Sequence, residues 1–214
     1  MGNRDYKNFT KGSIYHIYNR GNNREIIFRD EQDYRAFLFR LGLVLGIKKE
    51  HLNNSELTKS PKSRIRIESL EPGSFKLHAF CLMPNHFHLL VEQCSEETIS
   101  KLFLKFLTSF SRYVNLKHKR VGYVFQDRFK AVQIESNSQL MLISSYIHMN
   151  PVKDDMVRKP ENYKWSSYND LISDKNNHFI DDKFLVDIFG GVNNFIKQNE
   201  RLYTKMLPEI EIFY

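Results

Sequence analysis

The chain has 214 residues, 41% hydrophobic and 14% aromatic, with a formal net charge of +7. That is enough to bury one sizeable core and too apolar for a disordered chain. No apolar run approaches bilayer length, residues Met1–Asp5 are polar, and Cys81 and Cys94 form no CxxC cluster, so a membrane protein, a secreted disulfide scaffold and a zinc-type module are not expected, and a cytoplasmic protein is.

In chain order, Ser13–Tyr18 alternates as a first strand, and Asn19–Asn23 reads as a turn. Asp30 can cap a helix whose apolar stripe is Tyr34, Phe37, Leu38, Leu41, Val44 and Leu45, with Gly46 as a stop. Residues 48–74 are polar and read as an inserted loop, with a short strand available at Arg64–Glu68. Phe75–Leu82 is a second strand, and Met83-Pro84-Asn85 joins it tightly to a third at His86–Gln93. Ser95 can cap a long helix with Glu96 and Glu97 in its first turn and a stripe from Ile99 to Val114. Gly122–Ile134 reads as a turn and a fourth strand carrying Arg128 and Lys130. Asn137 or Ser138 caps a further helix, which Pro151 should end at Asn150. Helices are also expected at Asp182–Phe189 and Val192–Tyr203.

This order is an α+β, ferredoxin-like split β-α-β: an antiparallel sheet with helices on one face, then an extra helix and a C-terminal helical extension. The expected division is a domain over residues 1–170, with its insertion at about 48–74, and an extension over 171–214.

Chemistry concentrates on the third strand. His86 and His88 flank Phe87. On a strand, residues i and i+2 share a face, so the two imidazoles project together while Phe87, Leu89 and Val91 point the other way. Two adjacent imidazoles are half of a divalent-metal site. Two polar residues on a solvated sheet face are the commoner use of so short a pattern. Tyr146 and Asn150, four residues apart, share a helix face. Each alone could be structural, as a half-buried aromatic and a helix C-cap. His148 lies about 200° around that helix from Tyr146 and reads as structural. Glu92, on the histidine face, could be a further ligand, and His78 could orient one. Trp165 could stack on a base, although packing against the sheet is the commoner use.

Charge has its own pattern. Lys101, Lys105, Arg112, Lys117, Lys119, Arg120, Arg128 and Lys130 face Asp127 alone between Lys101 and Ala131, which suggests phosphate contact. Arg128 and Lys130, two apart on the expected strand, should share a face.

Taken together, Cys81-Leu82-Met83-Pro84-Asn85-His86-Phe87-His88-Leu89-Leu90-Val91, Phe125-Gln126-Asp127-Arg128-Phe129-Lys130 and Tyr146-Ile147-His148-Met149-Asn150-Pro151-Val152 resemble the single-tyrosine HUH transposases, in particular the REP-associated branch. Asn19-Arg20-Gly21-Asn22-Asn23 and Tyr163-Lys164-Trp165-Ser166-Ser167-Tyr168 look similar to the same pattern. The resemblance runs from about residue 10 to 170; residues 48–74 look longer than the family needs.

The resemblance implies roles. His86, His88 and Asn150 would hold a divalent metal, Mg²⁺ or Mn²⁺, and Tyr146 would attack a phosphodiester of single-stranded, hairpin-bearing DNA to give a 5′-phosphotyrosine. Arg20, Lys101, Lys105, Arg112, Arg128 and Lys130 are the expected nucleic-acid contacts. Both a monomer and a homodimer suit the family. Two other classes stay open: a non-catalytic or host-adopted nucleic-acid-binding protein, and a water-using metal-dependent nuclease.

Overall fold

The computed structural model describes residues 8–54, 56–58, 67–173 and 179–206. Among these, strands β1 (Ile14–Arg20), β2 (Phe75–Met83), β3 (His86–Gln93) and β4 (Lys130–Ile134) form one sheet. Its order is β2-β3-β1-β4 with every pair antiparallel. This is the expected split β-α-β.

Helices α1 (Glu31–Val44) and α3 (Ile99–Lys117) pack on one face. Phe87, Leu89 and Val91 are fully buried there. The Phe37 ring meets Phe87 at 5.0 Å and Phe106 at 4.6 Å. Each such aromatic contributes roughly 1.5–3 kcal/mol by leaving water. The opposite face is covered by α4 (Asn137–Lys153), so the histidine strand is not solvated on either side. Beyond α5 (Tyr168–Ile172), α6 (Asp182–Phe189) and α7 (Val192–Met206) back onto α4, with Phe195 against His148 at 5.7 Å. The outer edge of β2 is closed by residues 163–167, through Leu82 N–H to the Trp165 carbonyl and Ser167 N–H to the Phe80 carbonyl. Trp165 stacks on Tyr34 at 4.5 Å, so it serves packing.

Several boundaries differ from the sequence expectation. Asp30 caps α1 as expected, but Thr98, not Ser95, caps α3. Ser95 instead accepts from Glu97 N–H, and the Gln93 side chain takes Ile99 N–H, so the exit from β3 consumes the residues that looked like a first turn. Ser136, one residue earlier than expected, caps α4. Helix α4 also runs through Pro151 to Lys153, because Asp154 N–H and Met156 N–H bond the Asn150 and Pro151 carbonyls and sustain one more turn. The insertion holds a short helix, α2 (Lys49–Asn53), where a loop was expected. Its Leu52 packs so tightly on α1 that a Cβ at Gly42 would collide with it. Of the candidate strand Arg64–Glu68, residues 64–66 lie outside the described residues, and Ile67 and Glu68 are in no strand.

A buried ion network ties α1 to α3. Asp33 is 0% exposed. Its carboxylate accepts from the Tyr113 hydroxyl (3.0 Å), Lys117 Nζ (2.7 Å), His118 Nε2 (2.9 Å) and Arg29 N–H (2.9 Å). Removing Asp33 takes the acceptor from the Tyr113 hydroxyl and His118 Nε2, while Lys117 keeps Asp30. Asp33→Ala should therefore cost about 3–5 kcal/mol in urea unfolding. A loss under about 1 kcal/mol would mean the network is only a surface ion pair.

Candidate active site

The strand register builds the site. Tyr18 pairs with His88 and Arg20 with His86, so Arg20, Tyr18, His16, His86 and His88 share one face of the sheet. Helix α4 lies on that face. Its Tyr146 ring stands edge-on to His88, centroids 5.3 Å apart, and to His16 at 6.1 Å. Nucleophile candidate and histidine pair therefore meet within a single chain. Tyr146 is 4% exposed.

Each imidazole is oriented by a partner. His86 Nδ1 lies 2.7 Å from Asn85 Oδ1, and Asn85 is itself fixed by donating Nδ2 to the Arg24 carbonyl. His88 Nδ1 lies 3.0 Å from His16 Nε2. Asn150 donates Nδ2 to the Tyr146 carbonyl (2.8 Å), and its side chain also meets His86.

The histidines stay neutral. Burial, then the Arg20 charge, push His86 down to about 3, against a weaker upward pull from Asn150. Burial also lowers His16 to about 3 and His88 well below the ordinary histidine range. A neutral imidazole with Nδ1–H donated keeps a lone pair on Nε2, the form that ligates metal.

The chain returns to this site after β1 through Gly21. Gly21 N–H bonds the Asn85 carbonyl, and a Cβ there would collide with the Glu25 carbonyl. Ile27 and Phe28 N–H both bond the Pro84 carbonyl, which pins the following loop to the β2–β3 turn. The result is a polar pocket of about 250 Å³ lined by His86, His88, Arg20, Arg24, Gln126 and Lys130, among others.

Residues 10–150 match the family described as "Transposase IS200 like". The chain belongs to that family. A protein of Haemophilus influenzae, provisionally named a REP-associated tyrosine transposase, is 26% identical over 111 residues, 47% of this chain and 63% of its own length. The match thus spans less than two thirds of that relative. A solved REP-associated tyrosine transposase, bound to a REP hairpin, aligns with a TM-score of 0.56 over 80% of this chain and 86% of its own, at 15% identity. That likeness is one of fold.

Within this transposase-family fold the candidate residues fall into groups. Tyr146 meets His88 and Asn150 meets His86, while Arg20 and Lys130 line the pocket with the two histidines. Lys101, Lys105 and Arg112 sit on α3, across the sheet from the histidines. Lys101 pairs with Glu97 and Lys105 with Glu68, while Lys117 is spent on Asp30 and Asp33 and Arg120 on Glu25. In this structure the run of basic residues is thus divided between ion pairs and the pocket.

Arg128 and Lys130 do not share a strand face. Strand β4 begins at Lys130, because Phe125 and Phe129 anchor the preceding loop in the core and turn Arg128 towards α3. Glu92 and His78 bond each other at 3.0 Å and do not meet the histidine pair. His148 bonds the Ser167 hydroxyl at 3.0 Å and is structural, as expected.

Sequence reasoning missed His16, Arg24 and Lys153. Lys153 Nζ stands 5.9 Å over the Tyr146 ring. Its spacing of seven from Tyr146 was a readable signal, since i, i+4 and i+7 share a helix face.

Proposed function

We propose that this chain cleaves and rejoins single-stranded, hairpin-bearing DNA through Tyr146. The observation that carries the proposal is the packing of Tyr146 on His88, in the same chain, beside Asn150 on His86. Tyr146 Oη bonds to phosphorus, the bond from phosphorus to the 3′ oxygen breaks, and the phenol proton passes to the departing 3′-hydroxyl. One phosphodiester is exchanged for another, so no energy source is needed. The reverse attack by a 3′-hydroxyl rejoins the strand. Arg20, Arg24 and Lys130 hold the phosphate in the pocket, and Lys153 steadies the charge that develops on the phenol.

The donor set fits a divalent cation. Among the described residues no group of three or more His, Cys, Asp or Glu could hold a metal ion; the donors at this site are two imidazoles and the Asn150 amide. His86 and His88 would ligate through Nε2, and Asn150, its Nδ2 already committed, would offer Oδ1. Mg²⁺ or Mn²⁺ held there would supply Lewis-acid stabilisation of the phosphoryl oxygens. Imidazole suits Mn²⁺ better than Mg²⁺. Meeting of the site within one chain favours a monomer acting in cis over a homodimer that exchanges the tyrosine. No helix among the described residues is long and apolar enough to cross a membrane, and Cys81 and Cys94 are free thiols, which fits a cytoplasmic setting.

Formation of a covalent protein–DNA adduct on a hairpin substrate, retained in a denaturing gel, tests the reading. His16 offers a finer test. His16→Phe keeps the ring but removes the acceptor of His88 Nδ1–H. Loss of such an outer partner typically weakens metal affinity about 10–100-fold. The Mn²⁺ concentration for half-maximal cleavage should rise by that factor with the thermal melt little changed. An unmoved half-saturation would show that His16 merely packs.

A further inference from the structure

We infer that the groove between α3 and the 122–129 segment is a second DNA subsite, which receives an unpaired nucleobase next to the scissile phosphate. The inference rests on the proposed function and adds where the strand goes beyond the catalytic pocket.

The groove, about 840 Å³, is built of two kinds of surface. Its apolar walls include Phe103, Phe125 and Phe129. Its rim carries large apolar groups left in water, Leu104 at 69% exposed and Tyr123 at 85%. Hydroxyls of Ser100, Thr108 and Ser111 also line it. An exposed tyrosine above an apolar floor is a stacking platform that accepts any base, because every base has a π face.

Charge points to a polyanion. Arg128 lines the groove, and Arg112 follows Leu104 and Thr108 at spacings of four on α3, which puts it on the same helix stripe. Among the described residues neither arginine has a carboxylate partner, whereas Lys101, Lys105, Lys117 and Arg120 on the same stretch all do. The carboxylate lining the groove is Asp127. Its backbone carbonyl accepts from Asn19 Nδ2 at 3.0 Å.

The groove adjoins the catalytic pocket. Asn19 and Asp127 line both. A strand whose phosphate lies between Lys130 and His86 can pass Asp127 into the groove, with Tyr123 at its rim. A base beside the phosphate to be cut lies in the single strand that flanks the hairpin, so the occupant is the single-stranded flank.

The test uses the full chain and an unstructured oligonucleotide carrying 2-aminopurine, with affinity and base fluorescence read together. Tyr123→Ala should weaken binding about tenfold, in the range of one lost stacking contact, and Leu104→Ala, which removes only an apolar contact, severalfold. They should also abolish the change in 2-aminopurine emission. Both side chains are mostly exposed, so the fold should survive, and a far-UV spectrum checks it. Binding and emission unchanged in both variants would overturn the inference. Concentration-dependent self-association that is lost in the variants, with DNA affinity kept, would overturn it too, by assigning the groove to a second copy of the chain. The subsite and the chemistry fail separately. Tyr146→Phe should keep the emission change while losing the covalent adduct. Loss of the adduct with no effect of Tyr123→Ala would leave the catalytic proposal standing without the subsite.

Discussion

Tyr146→Phe is expected to abolish the covalent adduct between protein and a hairpin-bearing single strand, with cleavage falling at least about a thousandfold. Only the hydroxyl is lost. The ring keeps its place against His88 and His16. Stability should therefore change by no more than about 1.5 kcal/mol. DNA affinity should hold, because phosphates are bound mainly by basic side chains. A water-using nuclease would still cut in this variant and leave free ends with no protein attached. Undiminished adduct would remove Tyr146 from its role.

His86→Ala and His88→Gln should reduce cleavage about a hundredfold or more while DNA binding changes little. His88 is buried among aromatic rings, so a glutamine keeps most of the volume that alanine would leave empty. A chelator should silence the parent chain to the same extent, and Mn²⁺ should restore it more readily than Mg²⁺. The parent's response to metal and the variants' indifference to it must appear together. Full cleavage in excess chelator would rule out the metal role of this pair.

How much of this was readable in the sequence depended on whether the information was local. The β3 alternation and the helical spacing of Tyr146 and Asn150 are local patterns, and both led to the correct faces. So did the split β-α-β order. His16 was hidden because its meeting with His88 depends on the β1–β3 register, a pairing across 72 positions. Charge misled for the same reason. A run of lysines and arginines looked unpartnered, yet Glu68, Asp30, Asp33 and Glu25 come from distant segments to pair with them. Arg128 was assigned to the wrong face because the strand starts later than its residues suggested. Phe129 is anchored 4.7 Å from Phe103, which carries the backbone at Arg128 out of line with β4. Lys153 was local and legible, at seven residues from Tyr146, but Pro151 argued for an earlier end to the helix.

The central claim is that Tyr146 becomes joined to a 5′ phosphate. Peptide mass spectrometry on the protease- and nuclease-digested adduct addresses it directly. The expected product is the peptide spanning Tyr146, heavier by a nucleotide attached through its 5′ phosphate, with the fragment ions placing that mass on the tyrosine. A nucleotide mapped to any other residue, or efficient cleavage with all protein peptides unmodified, would contradict it.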